Sequence, residues 1–189
     1  MLGIALSDLA YGRALIGFIL DSFNEQKTPM HCRNEAQRAR ASIDGAFERL
    51  RAAGRMQEIP RGHLARAAFR RCVGDWDGAG RDLDEVEEIA EPGPMRLFLC
   101  DRALERVRLA FARLEAFAPL NGLVDGSPPK PALPDAAEAA RLRGEARADL
   151  DVARKLIAEC GYHRRDEGLA ELDAVLAGAR RFADLPPRV

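Results

Sequence analysis

The sequence predicts an all-α protein, an α-solenoid of antiparallel helix pairs with about seven helices. Three observations predict it. Apolar residues recur at helical spacing through most of the chain, and β-branched runs that would favour strands are almost absent. One pattern also repeats: Ala79-x-x-Asp82-Leu83-Asp84-x-Val86-x-x-Ile89 returns as Ala146-x-x-Asp149-Leu150-Asp151-x-Ala153-x-x-Leu156, and more weakly at Ala39, Ile43 and Ala46. A helix with one apolar stripe cannot bury it alone and needs neighbours.

The first helix is expected from about Gly3 to Asp21, with Leu9, Gly12, Ile16, Leu20 and Phe23 on one face and Leu6, Ala10 and Ile19 beside it. Apolar residues cover more than half its circumference, so it requires packing on more than one side. The isolated chain is therefore expected to self-associate through residues 2–23, as a homodimer. A polar connection is expected at 22–33, then a second helix from Asn34 to Ala53 carrying Ala36, Ala39, Ile43, Phe47 and Leu50, closed by Gly54. Pro60 opens a third helix that runs to Val73 with Leu64, Ala67, Ala68 and Cys72 inward.

Gly74-Asp75-Trp76-Asp77-Gly78-Ala79 is the turn of which the other hairpins are variations. Gly74 ends one helix and Asp75 caps the next, Trp76 to Glu91, whose stripe is Ala79, Leu83, Val86 and Ala90. Asp82, Asp84, Glu85, Glu87 and Glu88 are expected off that stripe as a solvated acidic face, and Trp76 as a packing aromatic. Pro92-Gly93-Pro94 is a stop. A fifth helix follows from Met95 to Ala118, with Leu97, Cys100, Leu104, Val107, Phe111 and Leu114 as its stripe. Residues 119–134 read as a Pro-rich, mobile surface loop. Asp135 starts a sixth helix to Cys160, capped by Gly161. A seventh runs from Arg165 to Phe182 with Leu169, Leu172, Leu176 and Ala179 inward, before a tail at 186–189. The pairs 3–54, 59–91 and 95–160 with the last helix make one domain over 1–185.

Composition narrows the function classes. The chain has 189 residues, 47% hydrophobic and 31% charged, a balance that folds rather than remains disordered. The net charge of −1 provides no global field for nucleic acid or an anionic membrane. The apolar run Ala14 to Leu20 is too short to span a bilayer, so no membrane contact is expected. Cys32, Cys72, Cys100 and Cys160 form no Cys-x-x-Cys pair, which argues against zinc and a disulfide framework, and Cys72, Cys100 and Cys160 fall on apolar stripes, as expected of buried, reduced thiols in a cytoplasmic protein. His31 and His63 lack partners at ligand spacing, and His163 is expected to serve a helix end after Gly161 rather than a reaction. No phosphate-binding glycine loop is present, so no nucleotide or other cofactor is expected.

The segment Gly74 to Ile89, with Gly-Asp-Trp at the turn, then Ala79, Leu83, Val86 and Ile89 and with Pro92 near the repeat's end, resembles the tetratricopeptide repeat family. Arg66 and Arg70 stand where that register places apolar side chains. More narrowly, Ile59 to Ala67 and Cys160 to Glu167 resemble C-terminal repeat regions of large bacterial signalling proteins. The resemblance implies a concave groove lined by the first helix of each pair and a non-catalytic role in binding a protein, peptide or partner helix. In that register Arg61 and Arg71 face the groove. Arg102 and Arg106 form an i, i+4 pair off the fifth helix's stripe, and the four together are the candidate binding residues for an acidic peptide. The plainer reading of these arginines is surface ion pairing with Asp101 and Glu105. Two other readings are a regulatory segment of a larger nucleotide-dependent signalling protein and a helical enzyme with an unrecognised site.

Overall fold

A computed structural model describes residues 2–24 and 29–186. Among the described residues the protein is all-helical, with seven α-helices: α1 (Leu2–Asn24), α2 (Pro29–Ala52), α3 (Ile59–Val73), α4 (Trp76–Ala90), α5 (Arg96–Leu114), α6 (Ala136–Cys160) and α7 (Asp166–Leu176). Short 3-10 turns lie at Met56–Glu58, His163–Arg165 and Phe182–Asp184. The most extensive packing is between α1 and α2, α5 and α6, and α3 and α4. Smaller contacts join α1 to α3, α3 to α5 and α5 to α7.

The repeated pattern lies on α2, α4 and α6, where its three inward positions are buried alike. Ala39, Ala79 and Ala146 are buried, as are Ile43, Leu83 and Leu150, and then Ala46, Val86 and Ala153. Small residues at the first position let the preceding helix approach closely. Gly12 of α1 does the same from the other side: a Cβ there would meet the Ile43 side chain at 2.7 Å. Truncating Leu83 to alanine in such a site would cost about 2–5 kcal/mol.

The helix ends follow local chemistry. Asp75 caps α4 by accepting from the Gly78 N–H at 3.0 Å, and Asp135 caps α6 from the Glu138 N–H at 2.8 Å. Gly74 ends α3 at φ +88°, a left-handed conformation that a side chain would strain.

Several expectations are corrected. The polar connection at 22–33 is largely helical: α1 continues to Asn24 and α2 begins at Pro29, which is tolerated in a first helical turn. Residues 25–28 and 187–189 and the side chains of Leu20, Phe23 and His31 lie outside the described residues. Ala10 and Leu97 are exposed rather than inward.

The segment 119–134 is pinned, not mobile. The Leu120 N–H donates to the Cys72 carbonyl at 2.8 Å, and Asn121 Nδ2 donates to Val73 and Pro128 carbonyls at 3.0 Å each. Leu120 and Val124 join the apolar cluster of α1, α2 and α3, while Gln37 and Arg40 of α2 bond to Asp125.

The last helix stops at Leu176, with Gly178 left-handed at φ +74°. The chain then folds back, leaving Ala179 exposed. Phe182 packs on Phe111 and Phe117, and the Glu115 carboxylate accepts the N–H groups of Phe182 and Ala183 at 2.6 and 3.1 Å.

Candidate functional site

Charge is concentrated where α1, α3, α5 and the α6–α7 junction meet. Asp101, Glu105 and Arg108 share one face of α5 by their i, i+4, i+7 spacing. Glu105 is buried and holds two guanidiniums: Arg71 Nε donates to it at 2.6 Å and Arg108 Nη1 at 3.3 Å. Asp101 accepts from Arg165 Nε at 2.7 Å and from the Tyr162 hydroxyl at 3.3 Å. These pairs bound a cavity of about 450 Å³.

Five guanidiniums line that cavity: Arg13 from α1, Arg61 from α3, Arg108 from α5, and Arg164 and Arg165 from the turn before α7. Only Asp101 and Glu105 oppose them among its described lining residues. Leu64, Phe98 and Tyr162 supply apolar wall, and the Arg164 guanidinium lies 4.7 Å from the centre of the Tyr162 ring. Burial lowers the pKa of Arg13, and Arg165 lowers it further. Burial also lowers that of Arg108, with Glu105 opposing and Arg71 and Arg165 reinforcing the shift. Arg165 moves up instead, because its bonds to Asp101 outweigh burial. The cavity therefore holds positive charge that its own carboxylates only partly balance.

The four arginines singled out in the sequence do not share one surface. Arg61 lines the cavity, half-exposed, 3.4 Å from Glu58. Arg71 lies behind the cavity wall, its side chain 6% exposed and paired with Glu105. Arg102 pairs with Glu87, donates to the Leu83 carbonyl at 3.2 Å, and lines a separate cavity of about 250 Å³ with Arg96 and Lys155. Arg106 bridges Asp84 at 2.7 Å and approaches Asp149 at 3.8 Å. Asp101 and Glu105 are not the partners of Arg102 and Arg106; they turn to the cavity instead.

Reasoning from sequence missed Arg13, Arg108, Arg164 and Arg165. Arg13 was legible as the cation interrupting an otherwise apolar helix, and Arg108 as the third charge on the Asp101 face. Nothing local connects Arg164 and Arg165 to α5, because 61 and 64 residues separate Asp101 from Tyr162 and Arg165.

A second buried cluster corrects the acidic face of α4. Asp84, Glu85 and Glu88 are exposed, but Asp82 is 1% exposed. Its carboxylate accepts from Arg66 Nη2 at 2.6 Å and Arg70 Nη1 at 2.8 Å, and meets His63 Nδ1 at 2.9 Å. Arg66 also lies 3.7 Å over the Phe47 ring. Arg66 and Arg70 thus stand at nominally apolar positions because Asp82 partners them. Burial alone would raise the Asp82 pKa; hydrogen bonds from His63 and Arg66 and the charges of Arg66 and Arg70 bring it below the ordinary value. His63 is therefore partnered, whereas His163 pairs with Asp166 at 3.1 Å instead of a helix-end carbonyl.

Comparison with protein-family models, with curated proteins and with solved structures returns no match for the chain.

Proposed function

We propose that the protein is a non-catalytic interaction module of tetratricopeptide-like design that binds an acidic peptide or partner segment in the arginine-lined cavity. The solenoid reading is supported by the order of contacts. Each helix packs on the next, and α1, α3, α5 and α7 also touch in series, as the first helices of stacked pairs would. Their common side carries the cavity. The observation that carries the binding reading is the excess of guanidiniums over carboxylates there, drawn from four separate segments.

A non-catalytic role is supported by the state of the reactive groups. Burial raises the pKa of the Cys72 thiol and takes that of Cys100 up to about 12, so both are poor nucleophiles. His63 is engaged by Asp82 and does not line the cavity. The free cysteines, three of them buried, accord with a reducing cytoplasm. The net charge of −1 favours a protein partner over nucleic acid.

A second contact surface is favoured by α1. Ile4, Tyr11 and Phe18 are 62%, 51% and 44% exposed at i, i+7, i+14, on a face otherwise made of Gly3, Ser7, Ala10 and Ala14. The run Ala14 to Leu20 is short, but the whole window Leu2–Ile19 is sufficient by length and composition to cross a membrane, with mean hydropathy 1.4 and 33% of it buried in the fold. We read the exposed stripe as the seat of a second copy. It carries no charge and its spacing is symmetric about Tyr11, so two antiparallel copies set Ile4 against Phe18 in both directions.

The cavity is tested by fluorescence anisotropy with a labelled oligoglutamate peptide. The parent protein and an Arg102→Ala/Arg106→Ala variant are expected to bind it alike. An Arg61→Ala/Arg164→Ala variant, altered only at exposed side chains, is expected to lose at least about tenfold in affinity. Equal binding by all three would place the site elsewhere.

A further inference from the structure

Resting on the reading of the cavity as an anion site, we propose that its preferred ligand group is a phosphomonoester dianion, carried on a peptide side chain or free in solution.

Both carboxylates of the cavity are already engaged, Glu105 by Arg71 and Arg108 and Asp101 by Arg165 and Tyr162. Arg164 adds cationic charge that these two acids do not balance, and Arg61, 3.4 Å from Glu58, brings a further guanidinium to the cavity. A single carboxylate supplies one negative charge and two acceptor atoms. A phosphomonoester supplies up to two charges and three acceptor oxygens, and so meets guanidiniums arriving from different directions.

Residue type points the same way. Every described cation lining the cavity is arginine, whose planar fork grips phosphate oxygens in pairs. The sites differ in burial: Arg108 is tucked against Glu105 while Arg61 and Arg164 reach solvent. A dianion can therefore enter against the two exposed guanidiniums and be held by the buried set behind them. Beside this charged floor, Leu64, Phe98 and Tyr162 form an apolar wall on which the carrier of the phosphate would rest. The electrostatics agree: burial lowers the pKa of Arg13 and Arg108, and a dianion beside them would oppose that shift.

The second ionisation of a phosphomonoester lies near pH 6, about two units above that of a glutamate side chain. The groups facing the ligand are Arg13 from α1, Arg61 from α3, Asp101, Glu105 and Arg108 from α5, and Tyr162, Arg164 and Arg165 from the junction. No histidine lines the cavity among the described residues, so a change in affinity across pH 5–7 would report the ligand's own charge.

The experiment uses three probes on the full chain, titrated by calorimetry: an acidic pentapeptide with a central serine, the same peptide phosphorylated on that serine, and phenyl phosphate. The expected result is phosphopeptide binding at least about tenfold tighter than the unmodified peptide at pH 7.5. That advantage should shrink on going to pH 5, phenyl phosphate should compete, and Arg61→Ala/Arg164→Ala should abolish the preference with an unchanged circular dichroism spectrum. Binding of phenyl phosphate as tight as that of the phosphopeptide would assign the site to a free phosphate compound. Equal binding of both peptides would overturn the phosphate inference while leaving the acidic-peptide groove standing. Phosphate binding without any binding of the unmodified peptide would support the inference and remove the peptide reading. Binding of none of the three would overturn both.

Discussion

Asp82 and Asp149 occupy the same place in the repeated pattern, yet their surroundings move their acidities in opposite directions. Asp82 is gripped by Arg66 and Arg70, an i, i+4 pair on α3, and by His63. Asp149 faces the corresponding i, i+4 pair on α5, Arg102 and Arg106, but its nearest guanidinium contact is 3.8 Å from Arg106. Burial therefore prevails at Asp149 and raises its pKa, against the opposing charges of Arg106 and Arg102. The consequences for stability differ in sign. Asp82 is more acidic folded than unfolded, so its contribution is full above the unfolded value near pH 4 and disappears as pH falls through the lower, folded value. Asp149 is less acidic folded, so its ionised form costs stability at neutral pH. That cost is removed as pH falls through the raised folded value towards the unfolded one.

Two substitutions test this contrast by urea denaturation at pH 7. Asp82→Ala leaves two guanidiniums and an imidazole without their shared acceptor and is expected to lose about 3–5 kcal/mol. Asp149→Asn is expected to be neutral or stabilising. A loss at Asp149 comparable to that at Asp82 would show that the looser pair is as strong as the tighter one. The sequence displays both aspartates and both arginine pairs. It does not show that Asp82 turns inward, because an acid beside an apolar stripe is equally compatible with solvent until the partner helix is placed.

At the scale of elements, the helices are legible and the segments between them are not. Gly74, Asp75, Asp135 and Gly161 mark helix ends by backbone chemistry that acts locally, so those boundaries can be read directly. The 119–134 segment reads as a mobile loop because its prolines and glycines dominate local propensity. Its fixed course depends on Leu120 and Val124 reaching a cluster built from α1, α2 and α3, a long-range contact that no local window contains. Leu120→Ala is accordingly expected to destabilise the protein by about 2–5 kcal/mol, as a core truncation would, and Lys130→Ala, at an exposed side chain of the same segment, by far less. Equal small effects of the two would mean that the loop is not part of the core.

The early end of α7 has a local part and a distant one. Gly178 follows it in a left-handed conformation, a stop carried by the sequence itself, whereas the return of Phe182 onto Phe111 and Phe117 is a long-range contact.

The exposed stripe of α1 yields another prediction. The chain is expected to sediment as a dimer at micromolar concentration, and Tyr11→Glu, at the centre of the stripe, to give a folded monomer. A monomeric parent would remove the second copy. Vesicle binding by the parent would assign the stripe to lipid.

For the whole molecule, the all-helical class follows from periodicity alone, whereas the site does not. Arg61 is the single sequence candidate that lines the cavity. Arg71 stands behind its wall, and Arg102 and Arg106 belong to the contacts of α5 with α4 and α6. A cavity between several helices is assembled from residues spaced one or more helices apart, and helical periodicity specifies which face each residue takes only relative to its own axis. Arg164 and Arg165 reach Asp101 and Tyr162 through a turn whose direction is set by the packing of α7. The charge that gives the cavity its character is thus a property of tertiary structure. Hydrogen–deuterium exchange with and without saturating acidic peptide decides whether that cavity is the binding site. Slowed exchange is expected to be confined to the segments around Arg61, Asp101 to Arg108 and Tyr162 to Arg165. Protection centred on α4 and Arg106, with these three segments unchanged, would contradict the assignment.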